Sequence, residues 1–222
     1  MEDGLTTVNK ALKNLSFGAI DDNLGVYYSV EVFEDEKSKK NFIKNVERLI
    51  RSSQEYTKFI AYLRKDLSFN SCAILNELST ENVSIELHHF PFNLYEIVEA
   101  VINKRLEKDL PLSTFSISEE VMILHYTNCI GLIPLSKTMH ELAHSGTGNL
   151  QIDQRMVVGE YIEFFNEYGI HLSSKSLEKF QSWREFDNMT EDMEDLPNYS
   201  STDKYSTFLT RVSTTNVKIK QL

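Results

Sequence analysis

Two pairs of histidines carry the clearest chemical signal in this 222-residue chain. His88 and His89 stand side by side in the segment SIELHHFPF, and His140 and His144 lie four residues apart in KTMHELAH. Residues four apart share one face of a helix, so the second pair can bind one metal ion together. Adjacent side chains on a strand point to opposite faces, so one of the first pair can add a third ligand. The fourth imidazole would then be free to act as a general base toward water.

Local patterns predict the elements that position these histidines. The segment NVSIELHHF alternates apolar and polar residues, which indicates a half-buried strand, and CIGLIP is a short apolar strand that ends at Pro134. Ser136 can then cap a short helix that carries His140 and His144 and stops near Gly146.

Two further helices are predicted between the strands. Asn93 caps the first, and a capping box from Ser116 to Glu119 begins the second, which runs to about Thr127. Outside this region, GVYYSVEVF at 25–33 reads as a strand, one long helix carries the basic residues that follow, and another long helix begins near Ile152.

The strand, the turn and the helix resemble the HNH endonucleases, which are also called ββα-metal or His-Me finger nucleases. IELHHFPF resembles the first strand of that family, GLIPLSKTMH its second strand and turn, and HELAHSG the end of its metal helix. The combination of His-His with His-x-x-x-His is most similar to the colicin-type DNases. The resemblance covers about residues 84–146.

The resemblance implies a role for each of the four histidines. His88, His140 and His144 would bind one divalent metal ion, and His89 would be the base that deprotonates the attacking water. The metal would stabilise the charge of the transition state and of the leaving oxygen. Its identity stays open among Mg, Mn, Zn and Ni, because three imidazoles suit zinc or nickel whereas magnesium and manganese are the usual ions for phosphodiesters.

One position departs from the family pattern. The central asparagine of the family falls at Gly131 in this chain, and Asn128 lies three residues earlier. We therefore take Asn128 as the candidate to replace that asparagine, whose role is to brace the loop beside the catalytic site.

Charge is distributed unevenly along the chain. The net charge is -10, yet residues 37–65 contain nine basic and two acidic side chains. Four of the basic residues form the candidate nucleic-acid contacts, namely Lys44, Arg48, Arg51 and Lys58. DNA is the expected partner and RNA stays open; the alternative is an ordinary solvated helix face. The acidic segment 185–195 is a candidate contact for a protein partner.

The predicted fold class is α+β. A ββα-metal core with a helical insertion is flanked by an N-terminal strand and helix and by C-terminal helices. The expected divisions are an N-terminal α/β region (1–80), the core (81–148, with its insertion at 93–127), C-terminal helices (149–187) and an acidic loop and tail (188–222).

Composition sets the expected compartment. No apolar run approaches the roughly 20 residues of a membrane span, the N-terminus is acidic and polar, and the two cysteines have no nearby partner. These features predict a cytoplasmic protein with no membrane contact. The resemblance also implies a phage source, because nucleases of this kind are frequent in phage genomes. A phage-encoded protein would be located in the cytoplasm of the host.

Two other functions compete with a DNA endonuclease. His140-Glu141-x-x-His144 also matches the helix motif of zinc proteases, with Glu141 as base and Glu160 or Glu163 as the third ligand. The third reading is an inactive nuclease-like protein that serves as a binding or regulatory module. Isolated histidines, here His125 and His171, are read as structural residues.

Overall fold

The computed structural model describes residues 27–144, 150 and 152–189, the side chains of residues 186–189 excepted. It is an α+β structure, as predicted, with 61% helix and one small two-stranded sheet. The strands are β1 (Ile85–His89) and β2 (Leu132–Ser136). The described α-helices are α1 (Glu31–Glu34), α2 (Glu36–Ser52), α3 (Gln54–Lys65), α4 (Leu94–Glu107), α5 (Thr114–Tyr126), α6 (Lys137–His144), α7 (Tyr161–Tyr168) and α8 (Ser174–Met189), with 3₁₀ turns at Gln154–Met156 and Gly169–His171.

The two predicted strands are present and pair antiparallel. His88 lies opposite Ile133, and His89 lies opposite Leu132. Val158 extends this end of the sheet, because it exchanges two backbone hydrogen bonds of 2.7 and 2.8 Å with Leu132. Helix α6 follows β2 without a loop and contacts both strands.

The predicted helices between the strands are present as α4 and α5. Asn93 caps α4 in a reciprocal capping box with Glu96, which confirms the predicted cap. Seven residues of α4 are buried, and α4 and α5 pack on each other and on α2. The apolar core therefore lies between these three helices, and the sheet with α6 lies at its edge.

The predicted N-terminal strand and the single long basic helix are both wrong. Residues 31–34 form helix α1, because Phe33 turns inward and meets the Phe42 ring edge-to-face at 5.0 Å. The basic helix is interrupted at Ser53, which has an extended ψ of 152° and whose side chain caps α3 by accepting from Tyr56 N–H. Lys58 consequently stands on a different helix from Lys44, Arg48 and Arg51.

Three other predicted helix starts are also corrected. Helix α5 begins after Ser113, which forms a capping box with Ser116, so the helix starts earlier than predicted. The helix expected from Ile152 begins only at Tyr161. The Ser136 hydroxyl is buried and has no hydrogen-bond partner, so it does not cap α6.

Other predictions fall on residues that lie outside the described part. These are the acidic loop and tail from residue 190 onward, and with them most of the candidate contact at 185–195. None of the described helices combines the length and apolar character that crossing a bilayer requires.

Gly131 marks a close crossing of two backbone segments. A β-carbon at this position would lie 2.0 Å from the carbonyl oxygen of Phe90 and 2.9 Å from Val157 Cγ1. The Gly131 carbonyl in turn accepts the Phe90 N–H at 3.0 Å, so the crossing continues the pairing of the two strands. No side chain, including the asparagine of the resembled family, fits at Gly131.

Replacement of Gly131 by alanine should therefore lower the free energy of unfolding by about 2–4 kcal/mol, because the backbone must move to make room for one methyl group. Gly169→Ala is the matched control, since the three atoms nearest to its added carbon all belong to the Phe165 side chain, at 3.2–3.4 Å. We expect the control to stay within about 1 kcal/mol of the wild type. Urea unfolding measures both variants, and equal stability of the two would contradict the proposed clash.

Candidate functional site

Three of the four predicted histidines meet at one point. The ring centroid of His88 lies 5.1 Å from that of His140 and 4.7 Å from that of His144, and the latter two rings are 4.6 Å apart. Each residue offers one ring nitrogen, and these three nitrogens all lie within 4.8 Å of one another. We call this group the histidine cluster.

The distances within the histidine cluster fit a metal ion. The Nε2 atoms of His140 and His144 are 3.3 Å apart. Two ligands of a tetrahedral ion with bonds of 2.0–2.1 Å are separated by about 3.3 Å. The Nδ1 atom of His88 is also buried without a hydrogen-bond partner. An unsatisfied buried nitrogen costs about 1–3 kcal/mol, a cost that is removed if Nδ1 is the atom that His88 offers to a metal ion.

The environment favours the neutral form of two rings of the cluster, the form that metal binding requires. Burial, together with the nearby His144 and His140, lowers the pKa of His88 to about 3. Burial and His144 also lower the pKa of His140. The three rings range from buried His88 through half-buried His140 to exposed His144, so the cluster opens toward solvent along α6.

Glu86 holds one ligand in place. Its Oε2 atom lies 2.8 Å from Nδ1 of His140, which leaves Nε2 of the same ring directed at His144. A carboxylate on the outer nitrogen of a ligating imidazole fixes the ring and increases its basicity. Glu86 and His88 are two residues apart on β1, so both project from the same face of the strand.

His89 occupies a separate, buried position. Only 4% of its surface is exposed, and its Nε2 atom lies 2.9 Å from Nε2 of His125 on α5. The Nδ1 atom of His125 lies 2.7 Å from the Val121 carbonyl one turn earlier. Burial lowers the pKa of His89 well below its usual value and that of His125 to about 4. Both imidazoles are therefore neutral at physiological pH.

The basic residues of α2 border a groove. Lys44, Arg48 and Arg51 line an open depression of about 450 Å³ together with Glu47 and Ser52. Burial is the main cause of the lowered pKa of His89, His125 and His140, and the positive charge of Arg51 is a smaller cause shared by all three. Arg51 is therefore the groove residue whose charge reaches both histidine sites. Lys58, which is exposed on α3, is not among the residues that line this groove.

Asn128 has a clear structural role. It follows α5 with a left-handed φ of 62°, and its N–H donates to His125 O while Cys129 N–H donates to Leu124 O. These two bonds form a Schellman motif, in which the left-handed residue is usually glycine or asparagine. No described contact joins the Asn128 side chain to the histidines, and its proposed role as a brace stays a prediction.

The third member of the histidine cluster differs from the one that the protease reading requires. The cluster is completed by His88, not by Glu160 or Glu163. The Glu141 side chain is 67% exposed and pairs with Lys137 at 3.9 Å. This places Glu141 on the outer surface of α6, beside its own helix neighbour.

Comparison with known families identifies the chain. The family model of the bacteriophage G278-like virion proteins matches residues 9–221. The chain belongs to this family. The family's phage origin confirms the predicted phage source, and nothing in its description concerns catalysis. The comparisons with curated proteins and with solved structures found no match.

In this member of the G278-like virion family, two residues of the site were not found from the sequence. The place of Glu86 at the site could have been predicted, because it lies on the same strand face as His88. The contact of His125 could not, because a single histidine in a helix gives no indication of the strand that it will meet.

Glu86→Gln should weaken binding of Zn²⁺ or Ni²⁺ by about 10- to 100-fold, because His140 loses its carboxylate partner. Glu141→Gln makes the same change at an exposed carboxylate of α6 that pairs with Lys137, so it is the matched control and should leave the dissociation constant unchanged. Isothermal titration calorimetry on metal-free protein measures both variants. Equal weakening by the two changes would show that general charge, rather than the bond to His140, is responsible.

Acidification should destabilise the metal-free protein through His125. The unfolded chain binds a proton near pH 6.5, whereas folded His125 binds one only near pH 4. Between these values the unfolded state holds more protons, so stability is complete above pH 6.5 and falls as the pH drops toward 4. The contribution of this residue has a slope of about 1.4 kcal/mol per pH unit.

Urea unfolding in EDTA at about pH 7, 6 and 5 measures this slope. As the pH decreases, the free energy of unfolding of His125→Gln should fall less steeply than that of the wild type, by about 1.4 kcal/mol per pH unit. Phe59→Leu loosens the same pocket without removing the titrating group, so it should lose stability equally at every pH. An unchanged slope in His125→Gln would contradict the assignment.

Proposed function

We propose that this protein is a metal-dependent endonuclease of the HNH type, which hydrolyses phosphodiester bonds of DNA. The observation that carries the proposal is the histidine cluster, formed by two paired strands and the helix that follows them directly. This arrangement agrees with the order of elements expected of a ββα-metal core. His89, which follows His88 on β1, adds one imidazole that is not part of the cluster.

His88, His140 and His144 would hold the divalent ion. The described ligands number three, and a site with three protein ligands keeps a position open for water or substrate, whereas structural zinc sites usually have four. The ion would supply charge stabilisation at the scissile phosphate. The plasmid assay below, run with each ion in turn, decides among Mg, Mn, Zn and Ni.

His89 would act as the general base. Its Nε2 atom is engaged by His125, so Nδ1 is the nitrogen left to accept a proton. Burial keeps the ring neutral and therefore able to accept that proton. Attack by the resulting hydroxide in line with the leaving oxygen would break the P–O bond.

The basic groove would hold the DNA backbone. Lys44 and Arg51 make no ion pair with the described residues, and Arg48 contacts only the Asn45 side chain, at 3.4 Å. Three cations along one helix can bind successive phosphates, and in the proposed complex one of these phosphates would reach the metal. DNA is the proposed substrate, and host cytoplasm is the proposed compartment.

Two observations favour a second function, that of a metal-binding structural module. The G278-like family is described as a family of virion proteins, and His89 is almost fully buried. A protein in which the histidine cluster only fastens α6 to β1 would bind metal and cut nothing. The first assay below separates this function from the nuclease.

Plasmid cleavage tests the proposal directly. Supercoiled DNA is incubated with the full chain and Mg²⁺, Mn²⁺, Zn²⁺ or Ni²⁺ in turn, with EDTA as the control. His89→Ala should lower the cleavage rate by about 10²- to 10⁴-fold, because the general base is lost while all three ligands remain. Metal affinity should be retained.

Glu141→Gln is the matched control, since a nuclease does not use this carboxylate. Cleavage at the wild-type rate by His89→Ala refutes the mechanism. Loss of a peptidase activity in Glu141→Gln would support the protease instead. A wild type that binds metal and cuts no nucleic acid supports the structural module.

The basic groove is tested by the salt dependence of DNA affinity. Arg48→Glu combined with Arg51→Glu should lower the magnitude of the slope of log K against log salt by about 2, because two phosphate contacts are lost. Lys108→Glu combined with Lys175→Glu makes the same change in net charge at exposed residues outside the groove. Fluorescence anisotropy with a labelled duplex measures both, and an equal effect of the two pairs would assign the result to net charge alone.

A further inference from the structure

His125 and His89 form a hydrogen-bonded pair that the three-ligand cluster does not require. The two Nε2 atoms are 2.9 Å apart, and both rings are buried. On its other side, His125 contacts the Val121 carbonyl oxygen through Nδ1 at 2.7 Å. Val121 belongs to the same helix as His125, so this last contact is fixed by the geometry of α5.

The Val121 carbonyl determines which nitrogens carry protons. A carbonyl oxygen can only accept a hydrogen bond, so Nδ1 of His125 must carry the proton in this contact. A neutral imidazole has one protonated nitrogen, so Nε2 of His125 presents a lone pair. His89 must therefore donate from its own Nε2–H, which leaves the lone pair of His89 on Nδ1.

We propose that His125 is a positioning residue that fixes the orientation and tautomer of His89, through a chain that begins at the Val121 carbonyl. This inference rests on the proposed function, in which Nδ1 of His89 is the atom that accepts the proton from water. In the opposite tautomer, Nδ1 would be protonated and could not act as a base. The sequence reading of His125 as an isolated structural residue is thereby replaced.

The surrounding rings hold the pair in this geometry. The Tyr56 ring lies parallel to His89 within 8°, at a centroid distance of 6.5 Å. Tyr56 and Phe59 meet the His125 ring edge-to-face at 5.7 and 5.4 Å. The Phe59 ring has no hydrogen-bonding atom, and no described hydrogen bond joins the Tyr56 hydroxyl to either imidazole, so the His89–His125 bond has no competitor among the described contacts of these two residues.

Two substitutions of His125 separate hydrogen bonding from packing. His125→Gln keeps an acceptor oxygen for His89 Nε2–H, whereas His125→Phe fills the space with a ring that accepts no hydrogen bond. Phe59→Leu is the control for loosening of the pocket, because Phe59 contacts the His125 ring and forms no part of the chain of hydrogen bonds. Urea unfolding establishes the stability of each variant first.

The first readout is independent of catalysis. Long-range ¹H–¹⁵N spectra of histidine-labelled protein distinguish a protonated Nε2 from a protonated Nδ1. We expect His89 to be the Nε2–H tautomer in the wild type, in His125→Gln and in Phe59→Leu, and to lose this preference in His125→Phe. A wild-type His89 that is protonated on Nδ1, or an unchanged tautomer in His125→Phe, overturns the proposal.

The second readout is the plasmid assay with the most active metal. His125→Phe should lower kcat by about 10-fold or more with unchanged KM and metal affinity, and His125→Gln should restore most of the rate. A kcat loss in Phe59→Leu equal to that in His125→Phe would assign the effect to packing and overturn the proposal. If the wild type cuts no DNA, the proposed function fails, while the spectra still decide whether His125 sets the tautomer of His89.

Discussion

The pairing register of β1 with β2 is the constraint on which both histidine sites depend. A shift by one residue would turn His88 toward α5 and His89 toward α6, because strand side chains alternate between faces. The histidine cluster and the His89–His125 pair would then both be lost. The register is maintained by the ladder itself, by the two bonds between Leu132 and Val158, and by the close crossing at Gly131.

The sheet depends on the helical core that is built from the long connection between its strands. Two strands alone are marginally stable in water. Here α4 and α5 leave and return to the sheet, and they bury their apolar faces against α2. The same packing brings His125 to His89. The proposed site thus takes its candidate metal ligands from the sheet and α6, and His125 and the basic groove from the helical core.

Burial divides the histidines into groups with different properties. His88 and His89 are adjacent in sequence and both buried, yet one faces two imidazoles that open to solvent and the other faces a closed aromatic pocket. In the proposed function, the connection of the cluster to solvent would let it exchange its ion and admit a substrate. The His89–His125 hydrogen bond lies among aromatic rings, which shield it from competing water.

Much of this arrangement was predictable from local sequence patterns. The strand at Ile85–His89, the cap at Asn93 and the common face of His140 and His144 each depend on neighbours within a few residues, and all are present. The strand expected at 25–33 was wrong because the tertiary contact of Phe33 with Phe42 outweighs β-propensity. The break at Ser53 was missed because serine is tolerated within helices as well as at their starts. The His89–His125 contact joins residues from different elements, and no local pattern encodes it.

The close crossing at Gly131 has a consequence for how this lineage can change. In the family that the core resembles, an asparagine stands at this position, but here its β-carbon would overlap the Phe90 carbonyl. Gly131→Asn alone would therefore destabilise the fold. The Val157 side chain and the Phe90 backbone must move before any side chain fits, so the effect of a substitution at Gly131 depends on the residues around it.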